Sequence, residues 1–586
     1  MQEPFAQAPR PQASLALSVS RVLRRYAGLL WPLSVTCLVA AIYADTLDFP
    51  FVFDDLGAIV HNPTLSAPSL LAALSPPDDT PVSGRPLVNL SFALNQRLAH
   101  SVPPAPQGFR SVNLLLHLIN ALLAYALLLK LLSRPVVPER VRRRAMPSAL
   151  LATALWACHP LQSEAIVYVT QRSELLVSLC LLLTMHCALA WLECTPHSPA
   201  RSWLLLAAIS CALGVGCKET AIVAPVLVLA IERGFYSDSL ALSWRAHRKL
   251  YIGMCLGLSP LLLQLLTLPR DRSAGFGLGV SAWQALAVSG HAIAWYSRLS
   301  VWPQPLSVTY NWHFDHAFAR YWLEDSFVAG LCLLTFWLAR SHAWIAAAGF
   351  WFFALLAPSS SVVPIISEVA AERRMYLPLL ATTSAFAVAV CYLATRARPS
   401  VQTAIGGLSV LLIALCVVAA HGRAQDYASP EQLFSAALRA APDNPQAMWG
   451  LASALDDSGQ SDAALALFER MAAQRYPYVG PASWGTRGLL AASQIYARRG
   501  DQRRAQQTLQ RALTHDPAST IGKLQSAARL VAVGQEPAAI SLLEGALQEP
   551  FLRDRIHREL AALYARRGDL TRAARHLELA KSQSLH

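Results

Sequence analysis

Charge is scarce in this chain: 15% of its 586 residues are Asp, Glu, Lys or Arg, and 54% are hydrophobic. A soluble globular protein carries roughly 25% charged residues, so an ordinary water-soluble enzyme is excluded. Acidic residues are the scarcer sign, 36 against 49 Lys and Arg, for a net charge of +13. In so apolar a chain that excess points to a membrane surface, and no nucleic-acid partner is expected. The 11 cysteines end at Cys416 and form no C-x-x-C pair and no metal-like Cys/His spacing. They read as small apolar packing residues, and the region after His421 needs neither a disulfide nor a structural zinc. Also missing are a glycine-rich phosphate loop, a nucleophile elbow and an HExxH helix. One compact core is improbable at this length, since cores stop growing near 250 to 300 residues; at least two units are expected.

What the chain does have is apolar runs. The first, about 27–44, follows Arg21, Arg24 and Arg25 and reads as an uncleaved anchor rather than a signal peptide. Others lie near 111–133, 147–158, 175–193, 201–216, 220–232, 249–268, 289–302, 326–339, 343–357, 376–395 and 402–420. Short cytoplasmic loops are enriched in Lys and Arg. That places the tail, the Arg134 to Arg144 loop and the Arg245 to Lys249 turn inside. A crossing at 289–302 would put the basic Arg396/Arg398 turn outside, so this run is expected to lie on the outer surface or to re-enter. The expectation is an all-α polytopic bundle with about eleven crossings. Its parts are a cytoplasmic tail (1–26), a transmembrane domain (27–421) with an outer loop at 45–110, and an outer domain (422–586).

That last domain repeats itself. Gly500, Gly534 and Gly568 are 34 residues apart. Ala505, Ala539 and Ala573 follow them at the same offset, and Ser493, Ala527 and Ala561 precede them. Gly459, with Ala452, Ala464 and Phe468, starts an earlier copy. Small residues let two antiparallel helices approach and the glycine turns between them; this is the tetratricopeptide pattern, a superhelix that holds peptides or partner proteins.

The chemistry-bearing residues gather at the outer ends of the runs. Asp54 and Asp55 stand in "FPFVFDDLGAIVHNP", just beyond the first run. Adjacent carboxylates at a membrane surface need a cation, a metal or a substrate hydroxyl to compensate them, or else serve as a helix cap. "HPLQSEAIVYVTQRSELL" supplies His159, Glu164, Arg172 and Glu174, "CKET" supplies Lys218 and Glu219, and "SEVAAERRMYLP" supplies Glu368, Glu372, Arg373, Arg374 and Tyr376. Such carboxylates beside cations suit group transfer from a charged lipid: one carboxylate takes a proton from a hydroxyl and the cations stabilise the departing phosphate. The ordinary alternative is mutual pairing of the charges. Tyr310, Asn311, Trp312 and His313 read as an interfacial aromatic belt rather than a sugar platform.

The order of "FVFDD", "GRPL", "HPLQSEA", "QRSELL", "KET" and "ERRMYLP", followed by the repeats, resembles the transmembrane and tetratricopeptide-repeat O-mannosyltransferases of the GT-C class. The resemblance spans nearly the whole chain, with Gln162 standing where animal members often have His. It implies an inverting transferase that moves a sugar, typically mannose, from a polyprenyl-phosphate donor to Ser or Thr hydroxyls of proteins on the exoplasmic side. It makes Asp54 the expected base and Asp55 its helper, orienting the acceptor or paired to a cation. Arg172, Lys218 and Arg374 are then expected at the donor phosphate, Glu164 and His159 on the acceptor side, Glu174 in support, and Arg85 and Asn89 positioning the first loop. No cofactor beyond the lipid-linked sugar is implied; carboxylates able to bind a divalent metal are present, but the cations can perform its task. The partners are the lipid donor, a protein acceptor on the repeats, and membrane lipids. The Ala, Leu and Arg usage suggests a bacterial inner membrane, with active site and repeats in the periplasm. Competing readings are a GT-C transferase with a lipid or glycan acceptor, and a non-catalytic membrane-anchored scaffold.

Overall fold

The computed structural model describes residues 33–77, 80–99, 104–194, 200–259, 281–312, 314, 317–360, 368–474, 482–549 and 552–583. Among them the chain is helical, with no strand. The amino-terminal tail, the carboxyl end of the 249–268 run and His313 lie outside the described residues. Numbering only helices of more than ten residues, the first part contains α1 (Leu33–Thr46), α2 (Pro86–Ala99), α3 (Pro106–Leu132), α4 (Ala145–Ala157), α5 (Arg172–Leu192), α6 (Ala200–Val215), α7 (Ala224–Phe235) and α8 (Leu240–Gly257). It continues with α9 (Ala282–Leu299), α10 (Ala317–Ser341), α11 (Ala343–Leu356), α12 (Leu379–Ala394) and α13 (Pro399–Gln425).

Four stretches, Pro106–Leu132, Val169–Leu192, Phe318–Ser341 and Pro399–Ala428, are long and apolar enough to cross a membrane. Those containing α1, α4, α6, α11 and α12 are apolar but shorter. The 220–232 and 249–268 runs emerge as α7 and α8, which carry Glu232 and Arg233, and Arg245, Arg248 and Lys249. The 289–302 run belongs to α9, which opens on a capping box from Ser281 and packs along α10. α3, α4 and α5 form the centre, α6 packs on α5, and α11 packs on α7 and α12. Leu333, Phe336 and Trp337 of α10 and Leu408, Val410 and Val418 of α13 stay exposed. Apolar side chains turned outward over whole helices are what a lipid solvent permits and water does not.

The repeats follow as α14 (Pro430–Ala440), α15 (Pro445–Asp457), α16 (Ser461–Ala472), α17 (Trp484–Arg498), α18 (Gln502–His515), α19 (Thr520–Ala532), α20 (Glu536–Ala546), α21 (Arg553–Arg566) and α22 (Leu570–Gln583). Gly459, Gly500, Gly534 and Gly568 turn the chain between paired helices at φ of 80 to 84°, the left-handed conformation that glycine takes without a Cβ penalty. The small residues beside them, Ala452, Ser493, Ala527 and Ala561, are buried at the helix contacts. The two parts share a core. Tyr427, Leu433, Phe434, Ala437 and Ala447 are buried in the same cluster as Val52 and Tyr168, whereas later repeats form separate clusters.

Candidate functional site

The loop between α1 and α2 is held by buried polar side chains. Arg110, at the start of α3, donates to the carbonyl oxygens of Phe49, of Pro50 at 2.6 Å and of Val167 at 3.0 Å. Asn89 donates to Thr64 Oγ1 at 2.8 Å and Ala73 O at 2.9 Å, and accepts from Asn62 at 2.8 Å. Asn89 thus links the loop to α2, and Arg85 donates to Pro81 O at 3.4 Å and faces Asp54 electrostatically. Between these clamps Phe53 adopts φ 52°. A bulky residue in the left-handed region costs of order 1–3 kcal/mol, and such strain persists only where the surroundings impose it.

The two aspartates that follow part company. Asp55 is fully buried: Oδ1 accepts from the Thr170 N–H at 2.7 Å and hydroxyl at 2.6 Å, and Oδ2 accepts from the Val52 N–H at 3.3 Å. Burial outweighs these bonds and the nearby Arg110, pushing its pKa up to about 6. Its oxygens are occupied by Val52 of the loop and by Thr170, so it ties the loop to the segment between α4 and α5. Asp54 is half-buried, and its N–H donates to the Tyr168 hydroxyl at 3.0 Å. Burial raises its pKa too, opposed by a hydrogen bond from Tyr168 and by the charges of Arg373 and Arg85.

Facing Asp54 is an ion-pair chain. Arg373 binds Glu164 through Nη1 at 2.5 Å and through its N–H at 2.8 Å, and also Glu368. Arg374 donates to Glu368 O at 2.7 Å and lies 3.6 Å from its carboxylate. Lys218 pairs with Glu174. Lys218, Glu174 and Arg374 line one small cleft together with Ser178, Thr220 and Ser359. Burial raises the Glu368 pKa, yet Arg373 and Arg374 together hold it below the ordinary value. A separate apolar cavity of about 480 Å³ lies between α3, α7, α11 and α12; it runs along α12 from Leu380 to Tyr392 and reaches Pro138 and Val141 in the loop after α3.

Three expectations change. Arg172, expected at a donor phosphate, is sealed: Nε donates to Asn113 at 2.8 Å, Nη1 to Ser91 O at 3.2 Å, and Nη2 to Asn95 at 2.9 Å and Phe109 O at 2.8 Å. Its guanidinium also lies 4.6 Å from the centre of the Phe92 ring. Every nitrogen is engaged, so it braces α2, α3 and α5. His159 is a cap, its Nδ1 accepting the Leu161 N–H at 3.2 Å, and burial lowers its pKa to about 4. Asp55 is a loop clamp. Gln162 is also structural, donating to Trp156 O at 3.1 Å. Tyr310 and Trp312 pack on Trp295 of α9, and Tyr310 donates to Glu372 at 3.3 Å. Three residues gain weight. Arg373 has the same sequence signal as Arg374; Tyr168 has none beyond its place in "IVYVTQ"; Arg423 stands just past the end of the 402–420 run, in the last turn of α13, and pairs with buried Glu372 at 3.1 Å. Among the described residues no group of three or more His, Cys, Asp or Glu is gathered so as to hold a metal ion.

A tetratricopeptide repeat family model matches residues 423–477. The chain is 30% identical over 299 residues to the protein O-mannosyl-transferase Tmtc2 of Drosophila melanogaster, covering 47% of this chain and 30% of that protein. It is 34% identical over 203 residues to Tmtc1 of the same fly, covering 33% and 21%. To human TMTC4 it is 25% identical over 494 residues, covering 74% of this chain and 65% of the relative. The chain spans less than two thirds of the length of these curated relatives. All three are animal proteins and do not bear out the bacterial setting expected from composition.

Proposed function

We propose, on the premise that this chain is a relative of the transmembrane and tetratricopeptide-repeat O-mannosyltransferases, that it transfers a sugar from a polyprenyl-phosphate donor to Ser or Thr hydroxyls of proteins. The observation that carries the reading is the half-buried Asp54, held beside Tyr168 and opposed electrostatically by Arg373 and Arg85. In this reading Asp54 takes the proton of the acceptor hydroxyl as its oxygen bonds to the anomeric carbon. The bond from that carbon to the phosphate oxygen breaks, and the lipid phosphate leaves with the electron pair. Lys218 and Arg374, which line one cleft, meet that charge. Direct displacement inverts the anomeric centre and needs no covalent intermediate. The tetratricopeptide array binds the acceptor. The basic loops favour a cytoplasmic amino terminus, with Asp54 and the repeats on the opposite face.

The test is Asp54→Asn in the full chain, purified in lipid and supplied with polyprenyl-phosphate mannose and a Ser/Thr-rich protein acceptor. Loss of a general base lowers turnover by about 10²–10⁴-fold while donor binding persists. A variant that transfers as fast as the parent overturns Asp54 as the base. Transfer to lipid or glycan acceptors alone would move the reading to that branch of the GT-C class.

A further inference from the structure

The strained residue before Asp54 is gripped from two sides. On one, the Phe53 ring lies 6.2 Å from that of Tyr168. On the other it meets Phe434 of α14 edge-on at 6.0 Å, so half of the grip comes from the first helix of the repeat region. Phe434 is itself fixed: it is 6% exposed and lies over Gly450 of α15, where an added Cβ would overlap the ring. The internal repeats make this glycine informative. Nine residues before its turn glycine, Gly459, the first copy has Gly450, whereas the other copies have Ala491, Gln525 and Glu559 at the same offset. Glycine stands only in the copy whose neighbour is this ring.

We propose that Phe434 is a positioning residue for the transfer, its ring seated on Gly450 and holding Phe53 in the left-handed conformation that sets Asp54 beside Tyr168. The inference rests on the reading of Asp54 as the base and adds a role for the repeat region in setting the geometry of the reaction, beyond delivering the acceptor. α15 is tied to the same face, since Asn444 donates to Thr309 O at 3.0 Å and the Thr309 hydroxyl donates to Gln446 at 2.6 Å.

The experiment uses the full chain in lipid nanodiscs with Phe434→Ala, Phe434→Leu, Gly450→Ala and, as a control, Asp54→Asn. Phe434→Ala is expected to lower kcat by about ten- to a hundredfold through misplacement of the base, with KM for donor and acceptor changed by less than about twofold. The acid limb of its pH–rate profile moves to lower pH, because Asp54 becomes less enclosed. Phe434→Leu restores most of the rate, and Gly450→Ala, which displaces the ring without removing it, reproduces the loss. Hydrogen exchange of amides 51–56 rises in Phe434→Ala while α3 and α5 stay protected. An unchanged kcat and acid limb in folded Phe434→Ala, a loss confined to acceptor KM, or unchanged exchange at 51–56 overturns the proposal. The control separates the two claims: an inactive Asp54→Asn beside a normal Phe434→Ala rejects the coupling alone. An active Asp54→Asn rejects the base, and the positioning of it with the base.

Discussion

Asp54 and Asp55 occupy adjacent positions with opposite surroundings, and that contrast can be measured. Asp55 accepts from Val52 and from Thr170 twice, so Asp55→Asn leaves buried donors facing an amide. It is expected to lower stability by about 1–3 kcal/mol, read as a fall in the Tm of the full chain. Asp54→Asn should leave stability within about 0.5 kcal/mol and remove turnover. The sign of the pH dependence follows from the same burial. Asp55 moves from its ordinary 3.8 to about 6 in the fold, so the folded state favours the neutral carboxyl. The stabilisation this gives is full below 3.8 and is lost as pH rises through about 6. Between pH 4 and 7 the Tm of Asp55→Asn is expected to fall less steeply than that of the parent; an equal slope would assign the pH dependence to other groups.

At the scale of helices, the turn glycines carry a prediction. Gly534 sits at φ 80° between α19 and α20 with open space around its missing Cβ, so Gly534→Ala meets backbone strain but no clash. The expected loss is about 1 kcal/mol. It should appear as faster hydrogen exchange in α19 and α20, with no change in α3–α5, because the last repeats form a cluster of their own. Uniform destabilisation would show instead that the array and the membrane bundle unfold together. The apolar helices follow a different rule. α10 and α13 expose large apolar side chains over most of their length, and their burial is completed by lipid, so their order depends on the bilayer rather than on neighbours.

For the whole molecule, the boundary between bundle and repeats is the deciding feature. Tyr427, Leu433, Phe434, Ala437 and Ala447 belong to the core that contains Val52 and Tyr168, and Arg423 at the end of α13 pairs with buried Glu372 at 3.1 Å. Deleting 427–586 is therefore expected to open that core and yield a protein with a markedly lower Tm or none in the membrane fraction. Deleting 475–586 keeps α14, α15 and α16 and should leave the bundle's Tm and donor binding near those of the full chain while transfer to protein acceptors falls. Equal behaviour of the two truncations, measured by Tm and donor binding in lipid, would show that the first repeat is not part of the bundle.

Much of this was legible in the chain itself. Hydrophobic runs and a 34-residue period are properties of consecutive residues, so the helical bundle, the repeats and the turn role of Gly459, Gly500, Gly534 and Gly568 follow from the amino-acid order alone. The gathering of Asp54, Glu164, Lys218 and the Arg373/Arg374 pair at one face was legible for the same reason, since each stands at the end of an apolar run. Side-chain partners were not. Arg172 and Arg374 are equally charged on paper; one is enclosed by Asn95, Asn113 and Phe109 O while the other lines a cleft. Asp55 became a clamp because Thr170, 115 residues away, arrives beside it, and Phe53 meets Phe434 across far more of the chain. The role of a charge depends on who satisfies its hydrogen bonds, and only tertiary packing brings those partners together.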